Sequence, residues 1–174
     1  MTATLSYEQQ VAEILRELGI EEIYKKRKPF PEAIELASIG RDIYERDQKL
    51  APKAAIAWLE MKSVAENDGI VLLVVSAFRS VTYQKQIVRR KLDAGQKMEQ
   101  ILRVSAAPGY SEHHTGRAID ITTHACKPLT EEFEGTPAFV WLARHAKDFN
   151  FTMTYPRNNK FGVIYEPWHW TFHI

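Results

Sequence analysis

Cysteine is almost missing from this chain. Cys126 is the single one among 174 residues, so no intrachain disulfide can form and no cysteine-rich zinc cluster can be built. His124 and Lys127 would favour its thiolate, but a small residue in a loop before Pro128 is the simpler reading. A surplus of charge is missing too. With 23 basic and 22 acidic residues the formal net charge is +1, which gives no reason to expect a nucleic-acid partner. The short basic run Lys25, Lys26, Arg27 and Lys28 reads as a solvated loop. The opening MTATLSYEQQ has no basic stretch leading into an apolar one, and no apolar run is long enough to cross a membrane. The expectation is a monomer with no membrane span. Its compartment stays open between the cell interior and the envelope. Repeats and low-complexity stretches are absent as well.

What is present fits one soluble domain. Hydrophobic residues make up 45% of the chain and charged residues 26%, enough for a real core at this length. Ser6 followed by Gln9 marks a helix start, and Val11, Ile14, Leu15 and Leu18 form its apolar stripe. Residues 20–40 look irregular around Pro29 and Pro31. A second helix is expected over 52–67, opened by Pro52 and closed by Gly69, with Ile56 and Leu59 facing the core. Residues 70–75 read as a buried strand. Helices are expected over 82–94, briefly over 98–102, and from Thr136 and Pro137 onward. Alternation from Arg117, and the stretches 151–155 and 168–172, read as further strands. Helices and strands are mixed rather than strictly alternating, which favours an α+β class.

Three short segments gather the chemistry-bearing residues. The first runs from Ser111 through Glu112, His113, His114 and Gly116 to Asp120. Asp120 lies between two isoleucines on an inner strand, where a bare carboxylate is costly without a cation. Gly116 permits a bend that folds His113 back beside it. Imidazole and carboxylate donors suit catalytic zinc, which takes three protein ligands and keeps a fourth position for water. His114, next along an extended chain, points away and is read as structural, and His124, His145 and His173 as surface or packing residues. The second segment is Glu166-Pro167-Trp168-His169. On a strand Glu166 and His169 would face opposite sides, so Glu166 is placed on the loop before it, with Pro167 restricting that loop. From there its carboxylate can act as a base beside a metal. The third segment delivers Arg79 to the end of a buried strand, where its planar fork could grip a carboxylate.

Together these segments resemble the D-alanyl-D-alanine carboxypeptidase family typified by VanY and VanX. L,D-carboxypeptidases and phage L-alanyl-D-glutamate endopeptidases share that core. Ser111, His113 and Asp120 match the Ser-x-His-(six residues)-Asp pattern. Glu166, Pro167, Trp168 and His169 match Glu-Pro-Trp-His, and Arg79, Ser80 and Gln84 match the arginine segment. The likeness covers the chain from about Pro52 to its end. It implies a zinc peptidase with a small antiparallel sheet flanked by helices and the zinc site on the sheet, as in hedgehog and D,D-peptidase folds. His113, Asp120 and His169 would be the zinc ligands and Glu166 the general base. Arg79 would hold the substrate carboxylate and polarise the scissile carbonyl. Ser111, Gln84 and Tyr155 would contact the substrate, a peptidoglycan stem peptide or muropeptide. Residues 1–50 would form an N-terminal helical extension packed on a catalytic core of residues 51–174. Two departures bear on substrate preference. Ala77-Phe78 stands where Gly-Tyr is usual, and Phe161 to Tyr165 where a Thr-Gly pair is usual. An endopeptidase and a non-catalytic zinc-stabilised module are the alternative readings.

Overall fold

The computed structural model describes residues 5–161 and 163–174; Gly162, part of one departure just noted, lies outside them. Helix α1 (Tyr7–Glu17) begins at the expected cap. Ser6 Oγ accepts from the Gln9 N–H at 3.3 Å, and the Gln9 side chain accepts from the Ser6 N–H at 2.8 Å. Val11 and Leu15 are buried, and Ile14 and Leu18 pack beside them in a small cluster with Ile20, Val81 and Ala107. The stretch expected to be irregular holds a one-turn helix, α2 (Glu21–Tyr24), and the first strand of a hairpin, β1 (Ala37–Arg41), paired with β2 (Asp47–Leu50). The first fifty residues are therefore not helical throughout. The hairpin escapes a hydrophobicity scan because only Ile39 and Leu50 of its strand residues are buried, and both join the main core.

Helix α3 (Pro52–Asn67) has the expected bounds, with Pro52 in the first turn. Its buried face corrects the expectation. Ala54, Ala55, Trp58, Met61 and Ala65 are buried, whereas Ile56 is 68% exposed and Leu59 47% exposed. Residues 54, 58, 61 and 65 share one helical face. Three alanines let the backbone lie close to the β1–β2 hairpin, while Trp58 and Met61 supply bulk to the main core. Ranking residues by hydrophobicity alone put Ile56 and Leu59 ahead of those alanines.

The remaining elements are β3 (Leu73–Ser76), α4 (Val81–Asp93), α5 (Met98–Val104), β4 (Ala118–Thr122), α6 (Pro137–His145), β5 (Phe151–Met153) and β6 (His169–Phe172). The strands are shorter than the apolar runs that announced them. Four form an antiparallel sheet in the order β3-β4-β6-β5. Residues paired across strands share a face. Ile119 opposite Trp170, and Phe151 opposite Phe172, point into the main core with α3 and α6. Ser76 pairs with Asp120 and Asp120 with His169, so a polar row crosses the other face. None of the described helices is long and apolar enough to cross a membrane.

Gly116 closes the turn before β4 at φ 66°, and a Cβ there would lie 2.9 Å from the Ala51 backbone nitrogen. Gly116→Ala is therefore expected to cost about 1–3 kcal/mol. On α3, Met61→Ala should cost about 2–5 kcal/mol and Ile56→Ala no more than about 0.5 kcal/mol. Urea unfolding of the metal-free protein reads all three. An Ile56 cost equal to that of Met61 would contradict the helix orientation.

Candidate metal centre

The segment leaving β3 is fastened on both sides. Ala77 N–H donates to Gln48 Oε1 at 2.9 Å, and Phe78 N–H to the Lys49 carbonyl at 3.0 Å. Gln48 in turn donates to Asp42 Oδ2 at 2.7 Å, and Asp42 also accepts from the backbone of Tyr44 and Arg46 and from the Arg46 guanidinium. On its other side the segment meets the 3₁₀ turn Glu112–Thr115, which Ser111 caps. Arg79 N–H donates to the His113 carbonyl at 3.2 Å. His114 is buried and uses both ring nitrogens. Nδ1–H donates to the Arg79 carbonyl at 2.6 Å, and Nε2 accepts from the Gly109 N–H at 3.0 Å. That is the structural role expected of it.

His113 faces the sheet. Its Nδ1 lies 2.6 Å from the Ala77 carbonyl, which only accepts, so the ring proton sits on Nδ1. Nε2 then carries a lone pair. It is buried, has no hydrogen-bond partner, and lies 3.2 Å from Asp120 Oδ2. Two acceptors facing each other at that distance call for a cation between them. His169 approaches Asp120 from the next strand. Its Nδ1 is 3.0 Å from Asp120 Oδ1 and its Nε2 is 2.9 Å from Glu112 Oε2. With Nε2–H given to Glu112, Nδ1 too points a lone pair at the same spot. One donor atom from each of His113, Asp120 and His169 lies within 4.8 Å of the others, and all three residues are buried. This is a set that a divalent ion fits, with each imidazole held in the required tautomer from behind.

The electrostatics follow from burial and neighbours. Burial, with the Arg79 charge, pushes His113 down to about 4. Burial opposes the charged form of His169 as well, but hydrogen bonds to Asp120 and Glu112 outweigh it and lift the group to about 9 in the metal-free protein. Burial would raise Asp120, yet His113 and His169 hold it well below the usual carboxylate range. Glu112 follows the same logic, lowered to about 2 against its burial by His169 and Thr171, whose hydroxyl donates to it at 2.7 Å. Glu166 behaves in the opposite way. Burial lifts it to about 7, and the favourable charges of His169 and Arg79 only partly offset that.

Glu166 lies on the loop before β6, as expected. Its N–H donates to the Tyr155 carbonyl at 3.0 Å, and Oε2 stands 3.9 Å from His169 Nδ1. Trp170 Nε1–H donates to the Pro167 carbonyl at 3.0 Å, which anchors that loop to the strand. The Tyr155 ring covers His169 with centroids 4.8 Å apart. Arg79 comes within 3.9 Å of Asp120 Oδ2, and its buried Nε has no partner. Arg79, Ser111, Asp120, Tyr155, Glu166 and His169 line one cleft of about 660 Å³. Gln84 is not among its lining residues. It is fully buried under α4, where Nε2–H donates to the Ala106 carbonyl at 2.7 Å. His124 and His173 are exposed and His145 is half-buried, as read from the sequence. Glu112 is what the sequence reading passed over. Its one signal was its place beside His113, together with Thr171 two residues beyond His169 on the same strand face.

Residues 47–174 match the family VanY: D-alanyl-D-alanine carboxypeptidase. The chain belongs to the VanY family. Among its relatives, the Bacillus subtilis (strain 168) protein YodJ is 32% identical over 145 residues, which cover 80% of this chain and 52% of YodJ. The chain spans about half the length of the curated relatives it matches. The solved LdcB LD-carboxypeptidase has a TM-score of 0.72 and 29% identity, covering 81% of this chain and 69% of that one. A vancomycin-resistance D,D-pentapeptidase VanY, solved as a mutant with Zn(II), shares the fold at a TM-score of 0.64 and 24% identity, covering 84% of each chain.

Glu112→Ala frees the back of the His169 ring and is expected to weaken divalent-ion affinity about ten- to a hundredfold. Glu112→Gln, which keeps an acceptor, should lose less. Competition against a chromogenic chelator measures both. Unchanged affinity in the alanine variant would remove Glu112 from the centre.

Proposed function

We propose that this chain is a zinc-dependent carboxypeptidase that removes the C-terminal D-alanine of peptidoglycan stem peptides. The observation that carries the reading is the unprotonated His113 Nε2 facing Asp120, with the raised Glu166 carboxylate close by. His113 Nε2, one Asp120 oxygen and His169 Nδ1 would hold zinc. Zinc, when bound, supplies a Lewis acid that polarises the scissile carbonyl and lowers the pKa of water to about 7. Glu166 takes the proton from the attacking water and hands it to the departing amine of the terminal residue. Burial raises the Glu166 carboxyl in the metal-free protein, which favours a group that takes up a proton and then gives it away. Arg79, with a buried Nε free of partners, grips the substrate's terminal carboxylate and steers the carbonyl beside it. Ser111 and Tyr155 border the bound peptide. Gln84 acts indirectly, by fixing the Ala106 carbonyl of the cleft wall.

Membership of a carboxypeptidase family and the likeness to LdcB support a terminal cut over an internal one. Mass spectrometry of muropeptides incubated with zinc-loaded protein should show loss of a single terminal D-alanine. Glu166→Ala should lower kcat about a hundredfold to ten-thousandfold while zinc binding persists. Normal turnover by that variant would refute the role of Glu166. Equal rates on peptides with free and amidated C-termini would instead point to an endopeptidase. Inertness of the zinc-loaded protein toward all muropeptides would favour a binding module.

A further inference from the structure

The cleft is longer than the metal centre needs, and its charge is unevenly divided. Every acidic residue that lines it, namely Glu112, Asp120 and Glu166, belongs to the metal end. The other end is walled by one face of α4, with Tyr83, Ile87, Arg90 and Lys91 at helical spacing, and by the last turn of α5 with the two residues after it, Leu102 to Ala106. That end is cationic in a protein whose net charge is only +1.

Most other arginines and lysines that hold a fixed contact have an acidic neighbour. Arg46 pairs with Asp42, Lys85 with Glu17 and Arg157 with Glu131 and Glu134. Among the described residues Arg90, Lys91 and Arg103 have none within ion-pair distance. Arg90 lies over the Tyr83 ring at 5.6 Å. Lys91 is half-buried, and its one hydrogen bond goes to Ser105 Oγ at 2.6 Å. Burial and the nearby Arg79 charge both disfavour its ammonium form. A partly buried ammonium beside a guanidinium, with spare donors and no counter-charge, is a costly arrangement until an anion arrives.

We propose that Lys91, with Arg103 and Arg90, forms a second anion subsite that takes an ionised carboxylate of the substrate peptide upstream of the scissile bond. The proposal rests on the carboxypeptidase reading above and narrows its substrate to stem peptides that carry such a carboxylate. Lys91, Arg90 and Arg103 line the same cleft as Arg79, His113 and His169. The α4 face from Tyr83 to Lys91 runs about 12 Å, the span of three or four extended residues, so the cleft wall is long enough to follow a few residues of a bound peptide. Two carboxylates lie in that range. One is the free side-chain carboxylate of a diamino diacid at the third stem position. The other is the α-carboxylate of the γ-linked glutamate before it.

The test uses four tetrapeptides of sequence L-Ala-γ-D-Glu-X-D-Ala. X is either diaminopimelate or lysine, and the glutamate α-carboxylate is either free or amidated. kcat/KM is measured for zinc-loaded wild type, Lys91→Met and Arg103→Met. In the wild type, loss of the recognised carboxylate should raise KM about tenfold. Which substitution has that effect identifies the source. In Lys91→Met the preference should shrink toward one. Calorimetry with the Glu166→Ala protein should give the same affinity ratios, weakening with salt. If neither these peptides nor their counterparts extended by a second D-Ala are cleaved, the carboxypeptidase reading fails while the calorimetric ratios still judge the subsite. Equal affinity for all four peptides would overturn the subsite. So would a Lys91→Met loss that depends only on the terminal carboxylate.

Discussion

A carboxylate in the middle of a sheet costs more than its strand can return unless positive groups surround it, and Asp120 is so placed. Every position of β4 is buried, so water cannot solvate its oxygens. His113 turns Nε2 to Oδ2 and His169 turns Nδ1 to Oδ1, and Arg79 stands near Oδ2. Each of these groups is held from behind in turn. The Ala77 carbonyl holds His113, Glu112 and Tyr155 hold His169, and the His114 bridge holds the backbone of Arg79. The surroundings can thus be read outward from Asp120 as successive answers to one burial problem.

The sheet solves a second problem with the same strands. Period-two alternation sends Ile119, Ile121, Trp170 and Phe172 into the hydrophobic core and leaves Asp120, His169 and Thr171 on the opposite face. Core formation therefore positions the site. Pairing Ile119 with Trp170 in register also sets Asp120 against His169, and a slip of one residue would send the ligands into the core.

The elements with strong local signals were legible in the sequence. The Ser6 and Gln9 pair, Pro52 at the head of α3 and the alternation from Ala118 to Thr122 each act over a few residues. The hairpin of β1 and β2 was not, because charged and polar side chains fill its exposed positions. The buried side of α3 was misjudged because alanines gain their place from close approach to the β1–β2 hairpin, a property of the partner surface. At the site, His113, Asp120, His169 and Glu166 stood out by residue type and spacing. Glu112 did not, since its partners His169 and Thr171 lie almost sixty positions away. Gln84 sat in a matching motif, yet the turn of α4 directs it inward beneath the cleft wall.

The pairing of β4 with β6 has a consequence for the newly made chain. β6 is the last strand in sequence but lies inside the sheet, between β4 and β5. A chain still being synthesised can form α3, β3, α4 and β4, and it already carries His113 and Asp120. It cannot close the three-residue constellation until the segment containing His169 has emerged and inserted between its neighbours. Long-range pairing of this kind comes late in folding. The reactive geometry thus appears only with the finished sheet.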